Sequence, residues 1–99
     1  MILEFTDLAL DDLASIERYT RQHWGEKQAD IYLDLLEQAL SGILDNPEIG
    51  CERPDVADDC RFSPEQSHLI FYRIAGNKIQ VLAIPHSSMD IEKHLVIKE

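Results

Sequence analysis

Along this chain the spacing of apolar residues changes once, near Pro54, from a helical period to alternation, which divides the sequence into two structural layers. Ahead of that point, Ile2 to Phe5 places Leu3 and Phe5 on one face and Glu4 on the other, predicting a short strand. Thr6 or Asp7 then caps a helix in which Ala9, Leu13, Ile16, Thr20 and Trp24 form a stripe opposite Asp11, Ser15, Arg18 and Gln22. Asp7, Asp11 and Asp12 lie at the positive end of that helix's dipole, and Arg18 and Arg21 at its negative end. Gly25 breaks the pattern. A second helix follows from about Glu26 to Asp45, with Ala29, Leu33, Leu36, Leu40 and Leu44 as its core stripe and Tyr32 and Ile43 beside it. Asn46-Pro47 ends it, because a residue before proline is pushed out of the α region. So short a connection makes the two helices an antiparallel hairpin. Gly42 inside the second helix costs ~1 kcal/mol relative to Ala, which predicts a close backbone contact there.

After the turn-rich link around Pro47–Gly50 and Arg53-Pro54-Asp55 the pattern becomes β. Arg61-Phe62 predicts a short strand and Leu69 to Ile74 a longer one. Ala75-Gly76-Asn77-Lys78 is a tight turn, and Ile79 to Ile84 returns. Both long strands are apolar on both faces, so the hairpin covers one side of the sheet and something else partly covers the other. Pro85 stops the last strand, and Ser88 is placed to cap a short helix through Met89 to His94. The expected fold is therefore α+β: an N-terminal strand and a helical hairpin packed on an antiparallel sheet of three or four strands, in one domain over residues 1–99.

Charge narrows the function. The formal net charge is −10, and residues 1–50 carry most of it, with eleven Asp/Glu against Arg18, Arg21 and Lys27. Such a field repels phosphate backbones and disfavours generic nucleic-acid binding, while Arg53, Arg61 and Arg73 in the less acidic half leave room for a local basic site. No apolar run approaches the ~20 residues that cross a bilayer, and the first residues lack the basic region of a secretory signal. The expectation is a cytoplasmic protein. Glu26, Asp30, Asp34 and Glu37 form an acidic ridge on the second helix, whose apolar arc also widens to Ile31 and Leu35. Two readings of that arc stand: a helix half-buried between its partner and the sheet, or a groove for another protein.

No chemistry is assembled by spacing. Cys51 and Cys60 are reduced thiols in a cytosolic chain, and their separation fits no common zinc pattern, even with His68 and His86 added. His86, Ser87, Ser88 and Asp90 contain the parts of a catalytic triad, but neighbours in one turn do not converge as a triad must. Asp11-Asp12 and Asp58-Asp59 read as solvated pairs, and His68 and His86 as structural. No cofactor, metal or catalytic residue is expected.

Several strings, in order, resemble the ParE toxins of the RelE/ParE superfamily of toxin–antitoxin modules. They are Tyr19-Thr20-Arg21-Gln22-His23-Trp24-Gly25 with Gln28-Ala29, Asn46-Pro47-Glu48-Ile49-Gly50, Arg53-Pro54, Ser67-His68-Leu69-Ile70-Phe71-Tyr72-Arg73, and His86-Ser87-Ser88-Met89-Asp90. The resemblance spans nearly the whole chain. It implies a partner antitoxin of the ParD kind, whose disordered C-terminal segment wraps the toxin in a hetero-oligomer, and DNA gyrase as the target of direct binding. With that resemblance, the antitoxin is expected on Ile31, Leu35 and the outer sheet face at Phe71. The target contact is expected at His86, Ser88, Met89 and Asp90, with Arg61 and Arg73 alongside, where a capping role at the sheet edge competes.

The RelE branch of the same superfamily cleaves messenger RNA in the ribosome with clustered Lys/Arg and often a Tyr near the C-terminus. The tail His94-Leu95-Val96-Ile97-Lys98-Glu99 has no Tyr and sparse charge, which sets the ribonuclease reading behind. Many family members carry a leucine before the histidine of the last motif and an arginine just ahead of Met-Asp, where this chain has Pro85 and Ser88. Those departures imply weakened toxicity, down to a protein that only pairs with its antitoxin.

Overall fold

The structure is a computed structural model that describes residues 1–94. The last five residues of the tail read above for catalytic groups lie outside the described residues. In chain order the elements are β1 (Ile2–Phe5), α1 (Asp7–Trp24), α2 (Glu26–Asp45), a 3-10 turn (Pro47–Ile49), β2 (Cys51–Glu52), β3 (Cys60–Glu65), β4 (His68–Ala75), β5 (Lys78–Ala83) and α3 (Ile91–His94).

The strands form one five-stranded sheet in the order β1-β5-β4-β3-β2. Three of its pairings are antiparallel, and β1 joins β5 in parallel, with Leu3 opposite Ile79 and Phe5 opposite Val81. The sheet is thus mixed and wider than the expected three or four antiparallel strands. The N-terminal strand needs the long α1–α2 crossover before it can lie parallel to its neighbour, and periodicity within four residues carries no sign of direction. The last helix also starts later than expected. Asp90, not Ser88, occupies its cap position, its carbonyl accepting from the amides of Lys93 and His94.

Thr6 ties the layers together. Its Oγ1 accepts from the Ala9 amide at 3.1 Å, capping α1, and donates to the Leu82 carbonyl at 2.7 Å. Leu82 needs that partner because it is the extra residue of a bulge: Phe71 pairs with Ala83 and Tyr72 with Val81, leaving Leu82 unpaired between them. The bulge also turns the neighbours Leu82 and Ala83 to the same face of the sheet.

The hairpin face holds the main core: Ile16, Leu36, Leu40 and Ile43 pack on Ile70, Tyr72, Ile79, Val81 and Ile84. Leu36 is 2% exposed, as its place in the apolar stripe requires. The opposite face carries a smaller cluster of Cys60, Phe71, Leu82 and Ala83, covered by Val56 and Ala57 of the β2–β3 link and by Ile91 of α3. Those segments are the second cover that the two-sided apolar strands called for.

Two glycines have distinct reasons. Gly25 separates the helices at φ 88°, a backbone region that residues with a Cβ avoid. Gly50 is there for space: a Cβ would sit 2.5 Å from the Tyr72 hydroxyl and 2.8 Å from the Phe62 carbonyl. Gly42 does not make the close contact expected of it, since nothing lies within 4 Å of where its Cβ would be. No helix among the described residues is long and apolar enough to cross a membrane.

Candidate functional site

α1 starts beside the end of β5, where Thr6 bonds Val81 and Leu82, and Asp12 already meets Ile84 beyond the strand, so the later turns of α1 overhang the end of β5. This is why Trp24, expected on the core stripe, is 63% exposed. Beneath the overhang lies an open groove of about 620 Å³, roofed by Ile16, Tyr19 and Trp24 of α1 with Tyr32 of α2. Its floor is the sheet end: His68, Ile84, Pro85, His86 and Met89.

Pairing continues past Pro85, which ends β5. The Leu69 amide donates to the Pro85 carbonyl at 2.9 Å and the Ser87 amide to Ser67 at 2.7 Å, so His86 lies opposite His68 as an isolated bridge. Their rings meet edge to face with centroids 5.3 Å apart. The Ser67 amide donates to the Tyr32 hydroxyl at 3.2 Å, and that hydroxyl lies 2.6 Å from His68 Nδ1. A hydroxyl that accepts the amide and donates onward requires a neutral His68 with its proton on Nε2. Burial, then the neighbouring His86, lower the His68 pKa to about 4, against a smaller opposing pull from Asp12. Burial likewise raises the Tyr32 phenol.

The turn after the groove holds itself. Ser88 offers both its Oγ at 2.8 Å and its amide at 3.1 Å to His86 Nδ1, and the Met89 amide donates to the His86 carbonyl. His86, Ser88, Met89 and Asp90 are all exposed. Asp12, expected to be solvated beside Asp11, is instead 9% exposed. Its Oδ2 accepts from the Ile84 amide at 2.8 Å, and both carboxylate oxygens meet His94 Nε2, the shorter contact at 2.9 Å. A buried carboxylate with these partners joins α1, the end of β5 and α3; the adjacent pair Asp11-Asp12 gave no sign which member would turn inward.

The six residues expected at one target contact fall into two places. His86, Ser88, Met89 and Asp90 stand at the groove end. Arg61 and Arg73 lie toward the other end of the sheet, ~17 Å from His68 along β4 at a strand's rise. They are also on opposite faces, because Arg61 pairs with Tyr72 and Arg73 is the next residue along β4. Arg61 donates to the carbonyls of Glu48 and Gly50, at 3.2 and 2.8 Å, and to Glu52. Arg73 Nε donates to Gln80 at 3.0 Å. On α2, Ile31 is exposed and Leu35 half-buried. Phe71 offers no surface in this chain: it is 0% exposed, stacked on Phe62 and covered by the second cluster. Alternation placed it on the outer face, and only the packing of Val56, Ala57 and Ile91 over that face buries it.

Tyr19, Trp24 and Tyr32 are the groove residues that sequence reasoning left out of the site. The available signal was the end of an apolar stripe at an aromatic residue directly before the helix-breaking Gly25. The cysteines stand apart from the groove. Cys60 is buried across from Arg73, with burial pushing its thiol up to about 11, while Cys51 is exposed on β2.

Residues 3–91 match the family model described as ParE toxin of type II toxin-antitoxin system, parDE. The chain is 31% identical to Toxin ParE1 of Caulobacter vibrioides over 84 residues, covering 85% of this chain and 86% of that protein. It is 34% identical to Toxin ParE1 of Mycobacterium tuberculosis over 77 residues, covering 77% and 79%, and 31% identical to Toxin ParE of Escherichia coli, covering 85% and 82%. Among solved structures, one titled "Chromosomal ParDE TA system from P. aeruginosa" superposes with a TM-score of 0.74 at 22% identity, covering 87% of this chain and 95% of that one; it shares the fold of two helices on a mostly antiparallel sheet. The chain belongs to the ParE toxin family of type II toxin–antitoxin systems.

Proposed function

We propose that this toxin acts in the cytoplasm by binding DNA gyrase directly, cleaves no nucleic acid itself, and is neutralised by a ParD-like antitoxin in a hetero-oligomer. The observation that carries the reading is the turn His86–Asp90. It is exposed throughout, held by its own hydrogen bonds, and set beside a groove whose rim is Tyr19, Trp24 and Met89. Tyr, Trp and Met are enriched where proteins bind proteins. The antitoxin surface is assigned to exposed Ile31 and half-buried Leu35 on α2, where a segment that orders on binding offsets its entropy by burying apolar area. Phe71 belongs to that surface only if the antitoxin displaces its cover. Arg61 and Arg73 are left to the far end of the sheet as a separate contact.

One feature supports a weaker toxin. Ser88 is short, uncharged and hydrogen-bonded to His86, at the position where the resembled pattern has an arginine. The test adds purified protein to a gyrase supercoiling reaction and, separately, to translating ribosomes. Loss of supercoiling with intact messenger RNA is expected. Cleaved messenger RNA with normal supercoiling would replace the proposal with the ribonuclease. No effect in either, with antitoxin still bound tightly, would identify a protein that only pairs with its partner. An Ile31→Asp, Leu35→Asp variant that folds yet keeps full antitoxin affinity would move the antitoxin site elsewhere.

A further inference from the structure

From the groove's lining and charge we infer that it takes a positively charged, extended protein segment, which inserts an aliphatic or aromatic side chain between Tyr19, Trp24 and Met89. This deepens the reading of the His86–Asp90 turn as a protein contact and rests on it.

Three observations point to that chemistry. First, Tyr19, Trp24 and Met89 are 56%, 63% and 47% exposed around one opening of about 620 Å³. Side chains of this kind, rimming a concave space, are what a single anchor fills in an interface hot spot. Second, the polar groups deeper in the groove already have partners inside the protein. Tyr32 holds Ser67 and His68, and Asp12 holds Ile84 and His94. A small polar ligand would have to break those bonds, whereas an apolar anchor leaves them in place. Third, apart from its histidines the groove's described lining carries one charged side chain, an acid, although Arg18 reaches the lining Ser15 at 3.5 Å from the rim. Asp12 lines the groove, Asp90 follows Met89, and Glu65 pairs with His68 across β3 and β4, while no Lys or Arg is among the described lining residues. Within a chain of net charge −10, that edge repels an acidic peptide or a phosphate backbone and attracts Lys and Arg. The exposed Trp24 face adds a cation–π partner for such a residue.

Trp24 is the chain's single tryptophan, so its emission reports on the groove. The probes are tryptophan-free twelve-residue peptides of alternating Lys and Leu, Glu and Leu, or Lys and Ser. The Lys–Leu peptide should shift Trp24 emission saturably, with affinity falling as salt rises. The Glu–Leu and Lys–Ser peptides should bind at least ~10-fold more weakly, one lacking the charge and the other the anchor. The double variant Tyr19→Ala, Met89→Gln leaves the net charge unchanged and alters only exposed side chains. It should weaken the Lys–Leu peptide by ~10-fold or more. Equal binding to that variant would place the peptide on the acidic surface at large and overturn the inference, as would a Glu–Leu peptide binding as well as Lys–Leu. Emission that shifts with protein concentration alone would overturn it in favour of a second copy of the chain as occupant. Supercoiling is read in parallel. Peptide capture with unaffected gyrase would reject gyrase as the target and keep the groove assignment; gyrase inhibition that survives the double variant in full would do the reverse.

Discussion

Two tyrosine hydroxyls do similar work at the two ends of this molecule, with opposite consequences. The Tyr72 hydroxyl accepts the Gly50 amide at 3.0 Å and donates to the Pro47 carbonyl at 2.8 Å. The Tyr32 hydroxyl accepts the Ser67 amide and lies 2.6 Å from His68 Nδ1. Each thus ties helix, turn and sheet together through one oxygen. At Tyr72 every partner is backbone that cannot titrate, and the side chain is wholly buried. At Tyr32 the last partner is an imidazole at the wall of an open groove. The first end is a fixed lock; the second depends on a proton, and it is the end that carries the exposed turn and groove. The sealed end and the open end are separated along the strands.

Breaking the lock should have the largest effect. Gly50→Ala forces a Cβ into the Tyr72 hydroxyl and the Phe62 carbonyl, and both are held by the sheet. Overpacking plus the lost hydrogen bond should cost about 2–4 kcal/mol, read as a lower midpoint in urea denaturation. An unchanged midpoint would mean the 3-10 turn yields freely and the lock is no lock.

Removing the hydroxyls one at a time sharpens the comparison. Tyr72→Phe strands the buried Gly50 amide and the Pro47 carbonyl, for about 1–3 kcal/mol. Tyr32→Phe should cost less, about 0.5–1.5 kcal/mol, because its neighbours at the groove can turn to water. Equal losses would contradict the division into a sealed end and an open end.

The pH dependence should arise from the open end. His68 has a folded pKa near 4 against an ordinary 6.5, so between those values the unfolded chain holds the extra proton. Stability is therefore complete above about pH 6.5 and falls as pH drops toward 4, by roughly 1–3 kcal/mol from this group. The titratable groups around His68 are His86, Asp12, Tyr32 and Glu65. In His68→Gln, urea midpoints should vary less across pH 4–6.5 than in the wild type. An identical slope would assign the dependence to other groups.

The smallest effect is a gain. Gly42→Ala places a methyl where nothing lies within 4 Å, inside a helix, and should raise stability by about 0.5–1 kcal/mol. Measured beside Gly50→Ala, it is the same chemical change with the opposite sign, and a loss at Gly42 would reveal a contact not apparent from the packing.

Periodicity and turn chemistry determined the elements. The stripe of Leu36 and Leu40, the break at Gly25, the stop at Pro47 and the hairpin at Gly76-Asn77 are all local, because each depends on residues within a turn or two. The widening of the α2 apolar arc to exposed Ile31 was legible for the same reason, whereas the turn through Asp90 was not, since Met89 and Asp90 were expected inside the last helix. What only the tertiary structure decided is non-local: the parallel entry of β1, the burial of Asp12 under Ile84 and His94, the sealing of Phe71 by the β2–β3 link and α3, and the split between His86 and the arginines. The groove itself belongs to this second group. It exists because α1 starts at the end of β5 and runs on past it, and where one element starts relative to another leaves no mark in the sequence of either one until the fold places one over the other.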